Sequence, residues 1–261
     1  MSMPSYEHVA VAIEGRLMIV TINRPQSLNA LHPPANEEMC DVFDRFAADS
    51  GLWVAILTGA GDRAFSAGND LRWTAQHDGK IHIPPAGFGG ITNRFDLTKP
   101  IIAAVNGFAL GGGFEIALAC DIIVASEKAM FGLPEPKVGM AALAGGMQRL
   151  PRQIGLKNAM AMMLTGRHVN ASEAYRLGIA QEIVAPERLM QRAREWAGEI
   201  LACAPLSVRA TKQVAMGGLG RPLEEAMSMR FPAVGELYRS EDFVEGPRAF
   251  AEKRKPDWKA R

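Results

Sequence analysis

The chain has 261 residues, 48% hydrophobic and 22% charged, with a net charge of +1 at pH 7. This length and composition suit one large domain with a substantial core, with or without an appendage, and the near-zero charge gives no reason to expect a nucleic-acid-binding surface. Three widely spaced cysteines lack the spacing of a zinc site or a disulfide framework, which favours a reducing compartment. The first residues show no basic region followed by an apolar run, so we expect a cytoplasmic protein without a secretory signal.

The first part of the chain predicts a β-hairpin, a helix and a buried strand. Two strand-like runs, 6–13 and 16–23, flank the turn at Glu14 and Gly15. Apolar residues at helical spacing predict a helix over 35–46, and an apolar run predicts a strand over 53–58.

Residues 59–71, GAGDRAFSAGNDL, allow two interpretations. Gly59, Gly61 and Ala64 match the GxGxxA fingerprint of dinucleotide-binding proteins. The context does not fit, because no helix is predicted to begin there and no acidic residue ends a second strand about 20 residues later. We favour a strand that ends near Ser66 and a helix that begins near Asp70, so a nicotinamide oxidoreductase is the less favoured class.

A loop is predicted over 75–91, where Gly, Pro and His are frequent and no period is visible. Such loops are mobile and often border a substrate cleft. His77 and His82 lie in it without a third ligand, so we predict no metal site.

The stretch 101–126, IIAAVNGFALGGGFEIALACDIIVAS, predicts a strand over 101–105, a glycine-rich turn, a helix over 112–120 and a second strand over 121–125. Glu115 is the only ionised side chain in this apolar helix, and a buried carboxylate costs several kcal/mol unless it is paired or hydrogen-bonded. Free N–H groups at the helix start, made accessible by glycine, form a site for an oxyanion.

Plainer interpretations exist for this stretch. The glycines alone are compatible with a tight turn and Glu115 with a structural carboxylate. A membrane helix is disfavoured, because Asn106, Glu115 and Asp121 interrupt the apolar run. Glu135 lies between two prolines, where an exposed turn residue is the simpler interpretation.

The rest of the chain predicts mainly helices. A helix begins near Gly145, and the spacing Asn170–Glu173 is that of a capping box for a helix that Gly178 ends. A strand over 179–184 follows. Four helices are then predicted over 187–203, 206–216, 222–239 and 242–251, before a basic tail, KRKPDWKAR, that we expect to be solvated. The fold class is therefore α/β with a helical C-terminal appendage.

Several motifs, in this order, resemble the crotonase or enoyl-CoA hydratase/isomerase family: NRPQSLNAL, AFSAGNDL, KPIIAAVNGFALGGGFEIALACDIIVAS, FGLPEPKVG, GGMQRL and SEDFVEGPRAFAEKRKP. The resemblance covers almost the whole chain. It implies a crotonase-like spiral of ββα units over 1–195 and a C-terminal helical region over 196–261 that mediates trimer formation. A homotrimer, commonly a dimer of trimers, is thus the expected assembly, with no nucleic acid or membrane as a partner.

The same resemblance implies a site for acyl-CoA thioesters. The backbone N–H groups of Asn69 and Gly112 fall on the two family donors that hold the thioester carbonyl, and Glu115 and Glu135 fall on the two hydratase glutamates. Two fixed donors stabilise the negative charge that develops on that oxygen when water adds to the enoyl double bond. Glu135 is then expected to protonate Cα and Glu115 to hold the attacking water, giving syn addition to a trans-2-enoyl-CoA. Two carboxyls close together in a dry site should raise the pKa of one of them.

The resemblance also places the coenzyme A part of the substrate. No metal and no separate cofactor are expected. The predicted CoA-binding residues are Gln26, Ser27, Leu28, Ala30, Ala67, Gly68, Asp70 and Leu71. Arg24 is a candidate for attracting the diphosphate. Lys253 or Lys255 is a candidate for the adenosine phosphates of a neighbouring subunit, with a free tail as the alternative.

Two departures from the family pattern bear on the substrate. Ala142 and Leu143 replace a Pro-Gly pair, and Asn69 replaces a frequent alanine, so that its side chain either touches the acyl group or caps a helix. Retention of both glutamates favours hydro-lyase chemistry over isomerisation. The loop PPAGFGGIT, the GGGFE motif and the C-terminal segment resemble the carnitinyl-CoA dehydratases of the family, which makes crotonobetainyl-CoA hydration the second candidate. A quaternary ammonium group needs aromatic or anionic side chains around it, and Trp73 and Phe88 are the aromatic candidates.

Overall fold

A computed structural model describes residues 4–261 and contains ten strands and eleven α-helices within that range. The strands, in chain order, are β1 (Val9–Glu14), β2 (Leu17–Ile22), β3 (Val54–Gly59), β4 (Ala64–Ser66), β5 (Ile101–Val105), β6 (Phe108–Leu110), β7 (Ile122–Ser126), β8 (Met130–Gly132), β9 (His168–Asn170) and β10 (Glu182–Val184). The helices are α1 (Pro33–Ala48), α2 (Leu71–Gln76), α3 (Gly112–Ala119), α4 (Gly146–Ile154), α5 (Leu156–Thr165), α6 (Ala171–Leu177), α7 (Leu189–Leu201), α8 (Pro205–Gly218), α9 (Leu223–Ser228), α10 (Pro232–Tyr238) and α11 (Glu241–Ala251).

From β3 to β8, successive strands alternate between two sheets. One sheet has the order β1-β2-β3-β5-β7-β10, with only β1 antiparallel to its neighbour, and the other has the order β4-β6-β8-β9, with β9 antiparallel. The pairs β3–β4, β5–β6 and β7–β8 each send one strand to each sheet, so the chain winds as a spiral. The predicted α/β fold class and spiral architecture are confirmed by this topology.

The side chains of the central strands point alternately to two buried faces, which explains why these strands are apolar throughout. In β5, Ile101, Ala103 and Val105 point into the larger core cluster, which also contains α1 and α3. Ile102 and Ala104 point to the opposite face, where Ala193 and Ala197 of α7 cover the sheet. A parallel strand that is buried on both faces reads as a continuous apolar run, since side chains alternate with a period of two.

The predicted elements agree with the structure where the pattern is long. The hairpin is β1–β2, the helix over 35–46 lies within α1, and the strand over 101–105 has the bounds of β5. The predicted start and end of this helix are confirmed, because the Asn170 side chain accepts the N–H of Glu173 at 2.9 Å and Gly178 ends α6 in the left-handed region. The Glu173 side chain pairs with Arg176, so only the N-cap half of the capping box is formed. β3 leads through a turn into β4, and no helix begins there, as expected for a chain without the dinucleotide fold.

Two expectations were wrong, and three short strands were missed. The helix over 222–239 is broken into α9 and α10, because Pro232 has no N–H to continue a helix and Phe231 before it is extended. The short strands β6, β8 and β9 were not predicted, since three residues carry no usable period. The C-terminal tail is docked: the N–H groups of Lys259 and Ala260 donate to buried Asp242, at 2.6 and 2.9 Å.

The predicted boundary between 195 and 196 falls inside α7. This helix packs as one unit against β3, β5 and β7, and the division of the chain at that point stays a prediction. Every helix within residues 4–261 is too short or too polar to span a membrane.

Gly113 permits the closest approach between α3 and the second sheet. A Cβ at Gly113 would lie 2.0 Å from the carbonyl oxygen of Ser66 in β4. We expect Gly113→Ala to lower the free energy of unfolding by about 1–3 kcal/mol, because helix and strand must separate. Gly198→Ala in α7 is the matched control, since its Cβ would meet nothing within 4 Å and alanine favours a helix by about 0.5–1 kcal/mol. Chemical denaturation of both variants tests this, and equal stability of the two would contradict the packing argument.

Candidate active site

Glu115 lies on α3, inside the protein, with an exposed fraction of 3%. Its neighbours on the helix, Phe114 and Ile116, are fully buried, so the helix offers no polar face to the carboxylate. The partner comes instead from a different segment: the N–H of Gly146, at the start of α4, donates to Glu115 Oε1 at 2.8 Å. Glu115 is therefore a buried carboxylate held by the backbone of another helix's first turn.

The start of α3 lies against the segment that ends β4. A Cβ at Gly68 would be 2.7 Å from Gly112 N and 3.3 Å from Gly113 N, so only a glycine allows this approach at its φ of +88°. Within residues 4–261, neither the Asn69 N–H nor the Gly112 N–H donates to a protein acceptor. The structure thus brings together the two segments that carry the predicted oxyanion donors.

Glu135 begins a 3-10 helix, Glu135–Val138, and is half-buried. Its Oε1 would lie 3.2 Å from a Cβ at Gly111, the residue before α3. Its Oε2 is buried and, in the described part of the chain, has no hydrogen-bond partner. An unpaired buried carboxyl oxygen is costly in a folded protein, which favours a role for this group over the exposed turn residue that its flanking prolines suggest.

Burial and nearby charge set the ionisation of the site carboxyls. The pKa of Glu115 is raised to about 7, mainly by burial and also by the nearby negative charge of Glu135, whereas the N–H groups of Gly146 and Ala144 and the positive charge of Arg149 oppose the rise. Burial also raises the pKa of Glu135. Two such carboxyls beside one another hold a proton that is available near neutral pH.

The predicted CoA-binding residues fall on two segments, 26–30 and 67–71, that are joined to each other. Ala67 donates its N–H to the Leu28 carbonyl at 2.9 Å, and Leu31 donates to the Gly68 carbonyl at 2.7 Å. Leu28 and Asn29 have positive φ values of 52° and 55°, which turns the first segment back toward the second. Their juxtaposition forms one continuous backbone rim beside α3.

Asp70 belongs to this rim and pairs with Arg24, which precedes it in the chain. Arg24 Nη1 lies 3.0 Å from Asp70 Oδ2 and also donates to the carbonyl of Ala30. Asp70 caps α2 as predicted, accepting the N–H of Trp73 at 3.2 Å. Because its charge is matched by Asp70, Arg24 is a weaker candidate for a diphosphate than the sequence suggests.

The Asn69 side chain neither caps α2 nor stands free. Its Nδ2 donates to Thr74 Oγ1 at 2.9 Å, whereas the cap is Asp70. This bond ties the residue of the first predicted donor to the buried face of α2.

The aromatic candidates differ in position. The Phe88 ring packs directly on Gly112, where a Cβ would lie 2.5 Å from a ring carbon. Trp73 instead stacks on His77, with the ring centroids 3.9 Å apart. His82 pairs with Glu37 at 2.6 Å, so the two loop histidines are separate. Residues 4–261 contain no group of three or more His, Cys, Asp or Glu that could hold a metal ion.

Comparison with known proteins identifies the family. The enoyl-CoA hydratase/isomerase family matches residues 12–261. The chain belongs to this family. It is 44% identical over 252 residues to the carnitinyl-CoA dehydratase of Proteus mirabilis, covering 95% of this chain and 96% of that protein. It is 43% identical over 260 residues to the carnitinyl-CoA dehydratase of Escherichia coli O157:H7, covering 98% and 99%.

The similar solved structures belong to the same family but are named enoyl-CoA hydratases. The enoyl-CoA hydratase of Mycobacterium tuberculosis H37Rv aligns with a TM-score of 0.91 at 38% identity, covering 97% of this chain and 99% of that one. The enoyl-CoA hydratase of Mycobacterium marinum aligns with a TM-score of 0.91 at 39% identity, with the same coverage. As a member of the enoyl-CoA hydratase/isomerase family, this protein is an enzyme of the hydro-lyase type.

One residue near Glu115 was not singled out from the sequence. Arg149 of α4 lies within the GGMQRL motif, and its charge acts on Glu115. The sequence of this helix predicts only that it is amphipathic, and nothing in that pattern indicates that Arg149 acts on Glu115. The sequence does contain one signal: a basic residue stands about one helical turn after the glycine whose N–H binds the buried carboxylate.

The raised pKa of Glu115 makes stability depend on pH. A carboxyl whose pKa is about 7 in the folded protein and near 4.5 when unfolded contributes stability below pH 4.5, and this contribution is lost as pH rises to about 7. Glu115→Gln removes the titration. We expect the variant to gain on the order of 2 kcal/mol over the wild type between pH 5 and pH 8.

Urea denaturation at several pH values measures this difference. Glu127→Gln is the control, since it removes one exposed carboxylate and should change stability by no more than about 0.5 kcal/mol. A stability difference between Glu115→Gln and the wild type that does not change with pH would contradict the raised pKa of Glu115.

Proposed function

We propose that this protein catalyses the reversible syn addition of water to the double bond of a trans-2-enoyl-CoA, giving a 3-hydroxyacyl-CoA. The observation that carries the proposal is the cluster at the start of α3: the buried Glu115 and the half-buried Glu135, whose Oε2 is buried, beside an N–H of Gly112 that has no protein acceptor among residues 4–261. Addition of water to an enoyl thioester needs one proton donor, one group that orients water, and stabilisation of a carbonyl oxygen that gains charge.

The oxyanion is the electrostatic centre of the reaction. We propose that the N–H groups of Asn69 and Gly112 bind the thioester oxygen. The close approach of Gly68 to Gly112 supports this, since it holds the two donor segments together before substrate arrives. A donor of this kind typically contributes on the order of 10²–10³ in rate.

The carboxyls then divide the proton transfers. Glu115 is bound by the Gly146 N–H at 2.8 Å, which leaves it able to hold and polarise water through its remaining lone pairs. Glu135 has a buried oxygen without a protein partner and a pKa raised by burial. It is therefore suited to carry the proton that is delivered to Cα.

The substrate brings its own CoA, and we propose that CoA lies along residues 26–30 and 67–71. The two segments form a single rim through their mutual hydrogen bonds, and Gln26 and Leu71 on it are exposed. No separate cofactor takes part in this proposal, because every step is a proton transfer or the addition of water.

We further propose that the protein is a homotrimer, with a dimer of trimers as the larger assembly. Helices α8–α11 expose large apolar side chains that water disfavours. These residues are Met216, Leu219, Leu223, Met227, Phe243, Val244 and Phe250. Lys253 and Lys255 follow this surface and are exposed, so their predicted contact with a neighbouring subunit's CoA belongs to the same proposal.

Replacing Glu135 tests the division of labour. We expect Glu135→Gln to lower kcat for crotonyl-CoA hydration by about 10²–10⁴-fold with little change in KM, because the proton donor is lost while the CoA rim is intact. The loss of enoyl-thioester absorbance measures the rate. Glu127→Gln should retain wild-type activity, and hydration near the wild-type rate by Glu135→Gln would contradict the assignment.

A second candidate substrate is crotonobetainyl-CoA. It is favoured by the name that the sequence relatives at 43–44% identity share, carnitinyl-CoA dehydratase. The buried Phe88 ring on Gly112 also places an aromatic side chain next to the proposed oxyanion site, and aromatic rings attract a quaternary ammonium group.

Two substrates of similar shape, one with and one without the positive charge, test whether the site recognises that charge. The neutral analogue 5,5-dimethylhex-2-enoyl-CoA replaces the ammonium nitrogen by carbon. If the second candidate holds, kcat/KM for crotonobetainyl-CoA should exceed that for the analogue about tenfold, and Phe88→Leu should reduce this ratio. Equal kcat/KM values for the two substrates would contradict the second candidate and favour a general enoyl-CoA hydratase.

A further inference from the structure

We propose that Arg149 is a positioning residue: it fastens the turn that holds Glu115 to the loop that lays Phe88 on Gly112, and it places a positive charge that favours the ionised form of Glu115. This inference rests on the proposed hydration reaction. Arg149 does not need to touch the substrate to act in this way.

The hydrogen bonds of Arg149 connect two separate parts of the site. Its Nη2 donates to the carbonyl of Thr92 at 2.8 Å, and its Nη1 lies 3.4 Å from the carbonyl of Ala144. Ala144 stands two residues before Gly146, whose N–H holds Glu115. One guanidinium thus bridges the loop and the turn.

Gly145 makes room for this bridge. A Cβ at Gly145 would lie 2.1 Å from Arg149 Nη1, and the residue has a φ of +103°. The conformation requires glycine, and a Cβ there would displace the guanidinium from its place. The Arg149 side chain therefore folds back across the turn that starts its own helix.

The loop at the other end of the bridge reaches the predicted oxyanion site. Thr92 is buried and donates its N–H to the Phe88 carbonyl at 3.4 Å. Gly89 is held by the Asn36 side chain at 2.8 Å, and the Phe88 ring contacts Gly112. A displacement of Arg149 would therefore disturb both the contact of Gly146 with Glu115 and the contact of Phe88 with Gly112.

The charge of Arg149 acts on Glu115 through space, because its hydrogen bonds go to carbonyls. The charged groups that act most strongly on Glu115 are Glu135, which disfavours its ionisation, and Arg149, which favours it. Arg149 also interacts electrostatically with Cys120, a buried residue directly after α3. The half-buried guanidinium is thus the positive charge that offsets the second carboxylate.

The test compares Arg149→Met with Arg149→Lys in the full-length protein. We expect Arg149→Met to move the acid limb of the kcat/KM profile for crotonyl-CoA to higher pH by about one pH unit, because the ionised form of Glu115 loses its favourable charge. Arg149→Lys keeps a positive charge, so its acid limb should stay near that of the wild type even if kcat falls. Arg152→Gln, an exposed arginine on the same helix, should leave the profile unchanged.

A measurement without substrate keeps the two proposals apart. Infrared difference spectra follow protonation of the buried carboxyl between pH 5 and pH 9, with Glu115→Gln to assign the band. The band should titrate at higher pH in Arg149→Met than in the wild type. If the wild type does not hydrate crotonyl-CoA but the band still shifts, the proposed function fails and the role of Arg149 stands.

Two results would overturn the inference. One is an unshifted acid limb and an unshifted band in Arg149→Met, which would leave Arg149 a structural residue only. The other is an equal shift in Arg149→Lys, which would show that packing, not charge, sets the protonation of Glu115.

Discussion

Backbone contact between two turns of the spiral, made possible by glycine, underlies the whole site. Gly68 lies against Gly112, and Gly113 lies against Ser66, at distances that any Cβ would prevent. These contacts place the free N–H groups at the start of α3 next to the end of β4. The helix, its carboxylate and the rim of residues 67–71 all take their positions from that approach.

Burial of Glu115 is the second constraint, and it follows from the first. Because α3 is buried against β4, β6 and α4, its carboxylate must find partners outside its own helix. The turn before α4 supplies the Gly146 N–H, and Arg149 supplies a compensating charge. The result is a carboxyl that ionises close to neutral pH, which is where a proton-transfer group is most effective.

Much of this arrangement follows from the sequence, since the residues concerned lie in long regular patterns. The apolar run 101–105 and the glycines before Glu115 predicted β5, α3 and a buried carboxylate. The role of Arg149 did not follow, because it depends on Thr92, which is 57 residues away in the chain. Likewise the Asn69 side chain was ambiguous until Thr74 was seen to accept from it, and Pro232 was overlooked inside a helical pattern that it interrupts.

In both sheets the strands stand side by side in the order in which they occur along the chain. Each new strand therefore adds to an edge that already exists, and no strand must be inserted between two others. A chain of this design can assemble progressively as it leaves the ribosome, each turn using the previous one as a template. Residues 77–87 belong to neither sheet, so insertions or deletions there would change the border of the site without altering the register of a single strand.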